Sequence, residues 1–205
     1  MSSHIEFRPA VAADTEFVLP LIHSAGPQAI DYGFGLSHRD ARDFLRAAFF
    51  DGPGFFGWRN HVVALVQGEV VAVSATYSLP AYLQLSLQHA AQVWRHYPLA
   101  AFLGVMRRGM QLQTLMPPPG PSMHYLANFG VREDLRGRGI GLAMLEHHVA
   151  CGRRAGRKVF ALDVSVQNPR AQAFYARFGM QIRRTNKFGG PAGAVPDTRR
   201  MEMPL

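Results

Sequence analysis

The run "SMHYLANFGVREDLRGRGIGLAMLEHHVA" (122–150) constrains the fold of this chain more than any other stretch. A strand-like segment ends at Val131. Six positions, "RGRGIG" (136–141), then hold three glycines and two arginines, and a helical pattern begins at once, with Leu142, Leu145 and Val149 on one face. The pattern predicts a strand over 122–131 and a helix over 139–152. A helix N-terminus offers free N–H groups and a partial positive charge, and glycines let the backbone approach a ligand closely, so such a junction suits an anion. A P-loop requires Gly-Lys-Ser/Thr, but Leu142 and Ala143 follow Gly141. A dinucleotide turn requires G-x-G-x-x-G, and Met144 stands at the third glycine position. Asp163 has the spacing of a ribose ligand, yet only one βαβ unit follows. The remaining pattern is Arg-x-x-Gly-x-Gly, met by Arg136, Gly139 and Gly141.

A second element is equally well marked. "KVFALDVS" (158–165) reads as a strand, and "NPRAQAFYARFG" (168–179) as a short helix with Asn168 at the N-cap, Pro169 at the first helical position and Gly179 at the end. Asn168 and Tyr175 lie two turns apart on one face, which frees the Tyr175 hydroxyl for a ligand that Asn168 also touches. Phe174 and Phe178 point to a neighbouring face, towards the core.

Taken together, the two motifs resemble the GNAT superfamily of acetyl-CoA-dependent N-acyltransferases, closely over about 125–182. The resemblance implies an α/β fold with a mixed, partly antiparallel central sheet flanked by helices. The length suits one domain over 1–205, and the helical insertion at about 80–120, before the CoA-binding strand, is not part of the minimal family fold. The resemblance also implies that the backbone of Arg136, Gly137, Arg138, Gly139, Ile140, Gly141 and Leu142 holds the CoA pyrophosphate. Phe129, Gly130 and Val131 would pair with the pantetheine arm, Asn168 would contact pantetheine, and Tyr175 would protonate the leaving CoA thiolate. The activity implied is acetyl transfer from acetyl-CoA to a primary amine of a small molecule or protein.

Elsewhere the chain departs from the family or is less explicit. Many members carry a carboxylate base in the fourth strand, whereas residues 124–129 here read His-Tyr-Leu-Ala-Asn-Phe. Asn128 can orient a substrate or water but cannot take a proton at neutral pH. His124, at the strand's start beside a proline loop, reads as a solvated histidine. "GPQAIDYGFG" (26–35), with Asp31, Tyr32 and Phe34 between helices, reads as a substrate-side loop or as an aromatic-anchored turn, and Tyr77 and Tyr82 are further candidates. The remaining expected elements are a strand at 4–10, a helix at 14–25 with Phe17, Leu21 and Ile22 on one face, and a helix at 37–52 capped by Ser37. A hairpin over 56–79, helices at 81–96 and 99–114, and strands at 180–188 and 198–203 complete them. The inserted helices are apolar with few charges. They suit an acceptor-site cover, a homodimer surface or an extra core layer.

Charge supports an anionic ligand. Residues 1–131 hold eight arginines and eight acidic residues, whereas 132–205 hold fourteen Lys/Arg against six Asp/Glu, so the whole net charge of +8 lies in the glycine-loop half. No nucleic-acid recognition motif accompanies that excess, so no nucleic-acid partner is expected. One cysteine excludes an intramolecular disulfide framework. His147 and Cys151, four apart on a helix, lack a further ligand pair, so no metal is expected. No apolar run has the length of a membrane span and the start lacks signal-peptide regions, which makes a cytoplasmic location the expectation. The rival to an enzyme is a non-catalytic CoA-binding regulatory module.

Overall fold

Alternation within "HVVALV" determines both faces of the sheet. Val63 and Leu65 project into one core and Ala64 into another, as the two-residue period of a strand requires. In the computed structural model, which describes residues 4–205, this segment is the second of seven strands. Residues 1–3, part of the start inspected for a signal peptide, lie outside the described residues.

In chain order the elements are β1 (Ile5–Pro9), α1 (Thr15–Ala25), α2 (Pro27–Phe34), α3 (Ala41–Asp51), β2 (His61–Val66), β3 (Glu69–Tyr77), α4 (Leu79–His96), α5 (Leu99–Gln113), β4 (Met123–Val131), α6 (Ile140–Arg154), β5 (Val159–Ser165), α7 (Pro169–Arg177), β6 (Gln181–Asn186) and β7 (Thr198–Pro204). The strands form one sheet in the order β1-β2-β3-β4-β5-β7-β6. Every neighbouring pair is antiparallel except β4 and β5, which are parallel and paired over only three positions, Met123–Tyr125 with Val159–Ala161. The mixed α/β architecture with a partly antiparallel sheet agrees with the fold class expected.

Helices cover both faces. On one, Val18 and Ile22 of α1 and Phe44, Leu45 and Phe49 of α3 pack on Val63, Leu65 and Val73. On the other, Ile140 and Met144 of α6 pack on Ala64, Val71 and Ala72. A third cluster joins Leu145 and Val149 to Phe160, Leu162 and Met201 beneath α7. The inserted helices each have two unlike faces. Val93, Tyr97 and Val105 enter the α1–α3 core, while Leu83, Leu87, Leu99 and Leu103 are exposed.

Four local expectations are corrected. Residues 27–34 are helix α2, not a loop, started by Pro27 where its missing N–H costs no hydrogen bond. Phe17 is 65% exposed, and Val18 and Leu19 take the buried positions of α1 with Leu21 and Ile22. The third helix begins at Ala41, because the Asp40 side chain accepts the hydrogen bond from the Arg42 N–H at 2.9 Å and displaces Ser37 as the cap. His124 is not solvated. Its ring packs 6.1 Å from Phe160, its Nε2 is buried without a hydrogen-bond partner, and burial lowers its pKa to about 4.

Candidate functional site

Beyond Tyr125 and Ala161 the strands β4 and β5 diverge, and a cavity of about 750 Å³ opens between them. Its floor is β4 from Tyr125 to Val131 and β5 from Leu162 to Ser165. One end is walled by the glycine loop, α6 and α7, and the other by α2, α4, α5 and residues 55–56.

The glycine-loop end follows directly from local sequence. Gly139 is the N-cap of α6 at φ +83°, and Gly137 lies at φ +81°, a left-handed region that other residues enter only with strain. A Cβ built on either would meet no atom within 4 Å, so open space lies in front of this backbone, as an anion held by it requires. Gly130 is needed for the opposite reason: a Cβ there would stand 2.2 Å from the Leu21 carbonyl oxygen, and its absence lets α1 lie directly on β4. Phe129, Gly130, Val131, Arg136, Gly137, Gly139, Gly141, Leu142, Asn168 and Tyr175 all line the cavity, whereas Arg138 and Ile140 do not. Ile140 is buried in the core, an assignment the loop pattern alone could not make. Arg132 is engaged by Glu69 and Asp134 at 2.9 Å each, and Arg136 donates to the Val131 carbonyl at 3.2 Å. Arg170, lining the cavity from the start of α7, has no ion-pair partner among the described residues.

Asn168 caps α7 as expected, its Oδ1 accepting from the Ala171 N–H at 3.0 Å. Its amide NH2 then has no protein acceptor among the described residues. Tyr175, two turns on, is 8% exposed. Its hydroxyl has no protein partner among the described residues, and burial pushes the phenol well above its usual range, so it stays protonated. Phe174 lines the cavity beside it rather than turning wholly to the core.

The other end is aromatic and is assembled from distant segments. Tyr125 and Tyr77 have ring centroids 5.3 Å apart, Tyr77 and Phe55 5.7 Å, Phe55 and Tyr82 5.2 Å, and Phe55 and His89 5.5 Å. Burial lowers the His89 pKa to about 4, so its ring is neutral, and its Nδ1 is buried without a partner. Between the two ends stands Asn128, at φ +52° where β3 and β4 slip register. Its Nδ2 donates to the Phe55 carbonyl at 3.0 Å and to His61 Nε2 at 3.1 Å. His61 can accept because its Nδ1–H donates to the Gly57 carbonyl at 2.8 Å, and burial lowers its pKa to about 4. With both amide hydrogens used, Asn128 Oδ1 is left as a fixed acceptor without a protein donor among the described residues.

Tyr77 and Tyr82 line the cavity, but Asp31 and Tyr32 do not. Helix α2 turns Asp31 to His23, whose Nε2 lies 2.8 Å from its Oδ1, and Tyr32 donates to Gln111 at 2.5 Å and packs edge-on against Phe188. Of the three residues singled out in that segment, Phe34 alone lines the cavity. Asp163 reaches the cavity wall, but its charge is fully engaged. Arg200, 1% exposed, donates to both carboxylate oxygens at 2.9 and 2.8 Å, Tyr125 donates at 2.8 Å, and Asn186 donates at 2.8 Å. Sequence reasoning missed this cluster, His61 and His89. The sole local sign of Asn128's conformation was its residue type, since asparagine is among the few that tolerate positive φ.

The model of the acetyltransferase (GNAT) family matches residues 31–180. An uncharacterized N-acetyltransferase of Methanocaldococcus jannaschii is 39% identical over 51 residues, which are 25% of this chain and 23% of that protein's length. Among solved structures, an N-acetyltransferase from Staphylococcus aureus Mu50 superposes with a TM-score of 0.72 at 14% identity, over 97% of this chain and 100% of that one. An agmatine N-acetyltransferase superposes with a TM-score of 0.56 at 16% identity, over 98% and 99%. At these identities the structural likeness concerns the fold. No helix among the described residues is long and apolar enough to cross a membrane.

Proposed function

The chain belongs to the acetyltransferase (GNAT) family of N-acetyltransferase enzymes, and from that premise we propose that it transfers the acetyl group of acetyl-CoA to a primary amine within the cavity between β4 and β5, with Tyr175 as the proton donor. The observation that carries this reading is one unpartnered, protonated phenol in the lining of a cavity that also holds a glycine-lined helix N-terminus and an aromatic recess. Acetyl-CoA supplies the acetyl group as a thioester and a diphosphate that suits the open backbone at Gly137 and Gly139.

The residues then have distinct tasks. The N–H groups at the start of α6 and the Arg170 guanidinium hold negative charge. Asn168, through its free amide NH2, and the backbone of Phe129–Val131 align the arm of the donor along β4. Asn128 Oδ1 accepts a hydrogen bond from the amine and aims its lone pair, but takes no proton. Burial favours the neutral amine, because desolvation disfavours the ammonium form. A nitrogen–carbon bond forms as the carbon–sulfur bond breaks. Tyr175 gives its proton to the sulfur and regains one from the proton the amine loses, so charge balances over the cycle.

Tyr175→Phe tests this. Deleting a positioned general acid should lower kcat by a factor of about 10² to 10⁴ with the dissociation constant of acetyl-CoA unchanged. Unchanged turnover in the folded variant would remove the assigned role. Binding of acetyl-CoA without transfer to any amine by the unaltered protein would favour the regulatory-module reading.

A further inference from the structure

The acceptor end of the cavity has a composition that selects among amines. Its wall is formed by Phe55, Tyr77, Tyr82, Tyr125 and His89, with ring centroids 5.2–6.0 Å apart in successive contacts. Among the described residues, Asp163 is the sole carboxylate of the entire lining, and Arg200 neutralises it at the floor. The arginines of the lining, Arg136, Arg170 and Arg177, belong to the glycine loop and α7, and His89 is neutral. A second positive charge carried into the aromatic end would therefore lose its hydration and find no counter-ion, a cost that neutral aromatic faces offset only in part. A single amine faces a smaller cost. It can meet Asn128 Oδ1, fixed by Phe55 and His61, while the rest of the molecule replaces water against the rings.

We propose that the acceptor is a small primary amine carried on one apolar, ring-sized body with no second positive charge, an arylalkylamine being the matching class, and that the carboxylate-free aromatic wall excludes polyamines, agmatine-like guanidines and basic peptides. This rests on the reading that Tyr175, on the α7 wall of the same cavity, marks the transfer point. The selection acts through desolvation and shape. It also makes a dedicated carboxylate base unnecessary, since the wall that rejects a second charge weakens the hold of the first amine on its extra proton.

The test uses the full chain with two separate readouts. In the first, thiol release from acetyl-CoA is followed with phenethylamine and tryptamine against spermidine, agmatine and a lysine-containing peptide. The aromatic amines should exceed the cationic ones in kcat/KM by about a hundredfold, the range expected when one partner leaves a charge unpaired. In the second, binding of the same amines to the cofactor-free protein is followed by tyrosine fluorescence, so the preference is measured even where transfer fails. Ser86→Asp, which adds a carboxylate to the α4 wall, should narrow the gap by raising kcat/KM for spermidine about tenfold or more. Phe55→Ala should raise KM for phenethylamine while leaving acetyl-CoA binding intact. Equal or better use of spermidine, agmatine or the peptide by the unaltered protein overturns the substrate class and leaves the acetyltransferase reading standing. Selective binding of aromatic amines without any transfer supports the class and overturns the catalytic reading. Absence of both binding and transfer for the aromatic amines overturns the proposal.

Discussion

Lowering the pH from 7.5 to 5.5 should unfold this protein more readily than carboxylate titration explains. His61 and His148 are each 1% exposed, and burial lowers their pKa values to about 4 and about 3. Burial holds both neutral, and the neutral rings keep their hydrogen bonds: His61 donates to Gly57 and accepts from Asn128, and His148 shares a 2.6 Å hydrogen bond with Ser74. An unfolded histidine titrates near 6.5, so between that value and about 4 the unfolded chain binds protons that the native one does not. The stability contribution is therefore complete above pH 6.5 and is lost as pH falls towards the native pKa. Two such groups give a slope of about 2.7 kcal/mol per pH unit once both titrate in the unfolded state. Integrated from pH 7.5 to 5.5, they remove about 2.5 kcal/mol, and His89 and His124, lowered to about 4, bring the loss towards about 5 kcal/mol. Asp14 and Asp197 are shifted downward, so their contributions fade at lower pH, outside this window. Urea midpoints at pH 7.5, 6.5 and 5.5 measure the effect, against a typical domain stability of about 5–15 kcal/mol. His148→Gln, able to keep a hydrogen bond to Ser74, should flatten the slope by about one proton. A stability at pH 5.5 within about 1 kcal/mol of that at pH 7.5 would refute the assignment of these histidines as buried and neutral.

Three further outcomes follow from single sites. Asp163→Asn leaves the Arg200 guanidinium buried beside a neutral amide and should cost about 3–5 kcal/mol in chemical denaturation, because the pair is almost fully enclosed. Gly139→Asp places a side chain at φ +83° and a negative charge at the start of α6, so acetyl-CoA affinity measured by calorimetry should fall about tenfold or more while circular dichroism retains the native signal. Asn128→Ala removes hydrogen bonds to Phe55 and His61 and should lower stability by about 2 kcal/mol, with kcat/KM for the amine falling further than stability alone accounts for.

The cofactor half of the molecule was legible because its signals are local. Gly139, Asn168, Pro169 and Gly179 each state a backbone conformation within a few residues of where it is needed, and the intervening strand and helices follow from periodicity. In the acceptor half the sequence marks Tyr77 and Tyr82 as candidates but not the residues they meet. Phe55, Tyr77, Tyr82 and Tyr125 come from four segments and meet only once the sheet has formed. Asp31 and Tyr32 stand out in the sequence as a polar and an aromatic residue, but Pro27 starts a helix there, and its 3.6-residue period turns them to His23 and Gln111. Helical spacing groups Phe17 with Leu21 and Ile22, although Val18 and Leu19 take the buried positions beside those two. The Asp163–Arg200 pair spans 37 residues of sequence, and neither partner's neighbours announce it.

The three-pair junction of β4 and β5 has a mechanical meaning. Strands β1 to β4 and strands β5, β7 and β6 are two stiff plates joined along one short edge at Met123–Tyr125. Helix α6 spans both plates, with Ile140 and Met144 on β2 and β3 and Leu145 and Val149 on β5 and β7, and Arg200, bonded to Asp163 on one plate and to Pro117 before the other, ties the join. A molecule lying along the open edges would add contacts between the two plates beyond the three paired positions, as a rung does for a ladder. Occupancy of the cleft and rigidity of the whole sheet would then rise together.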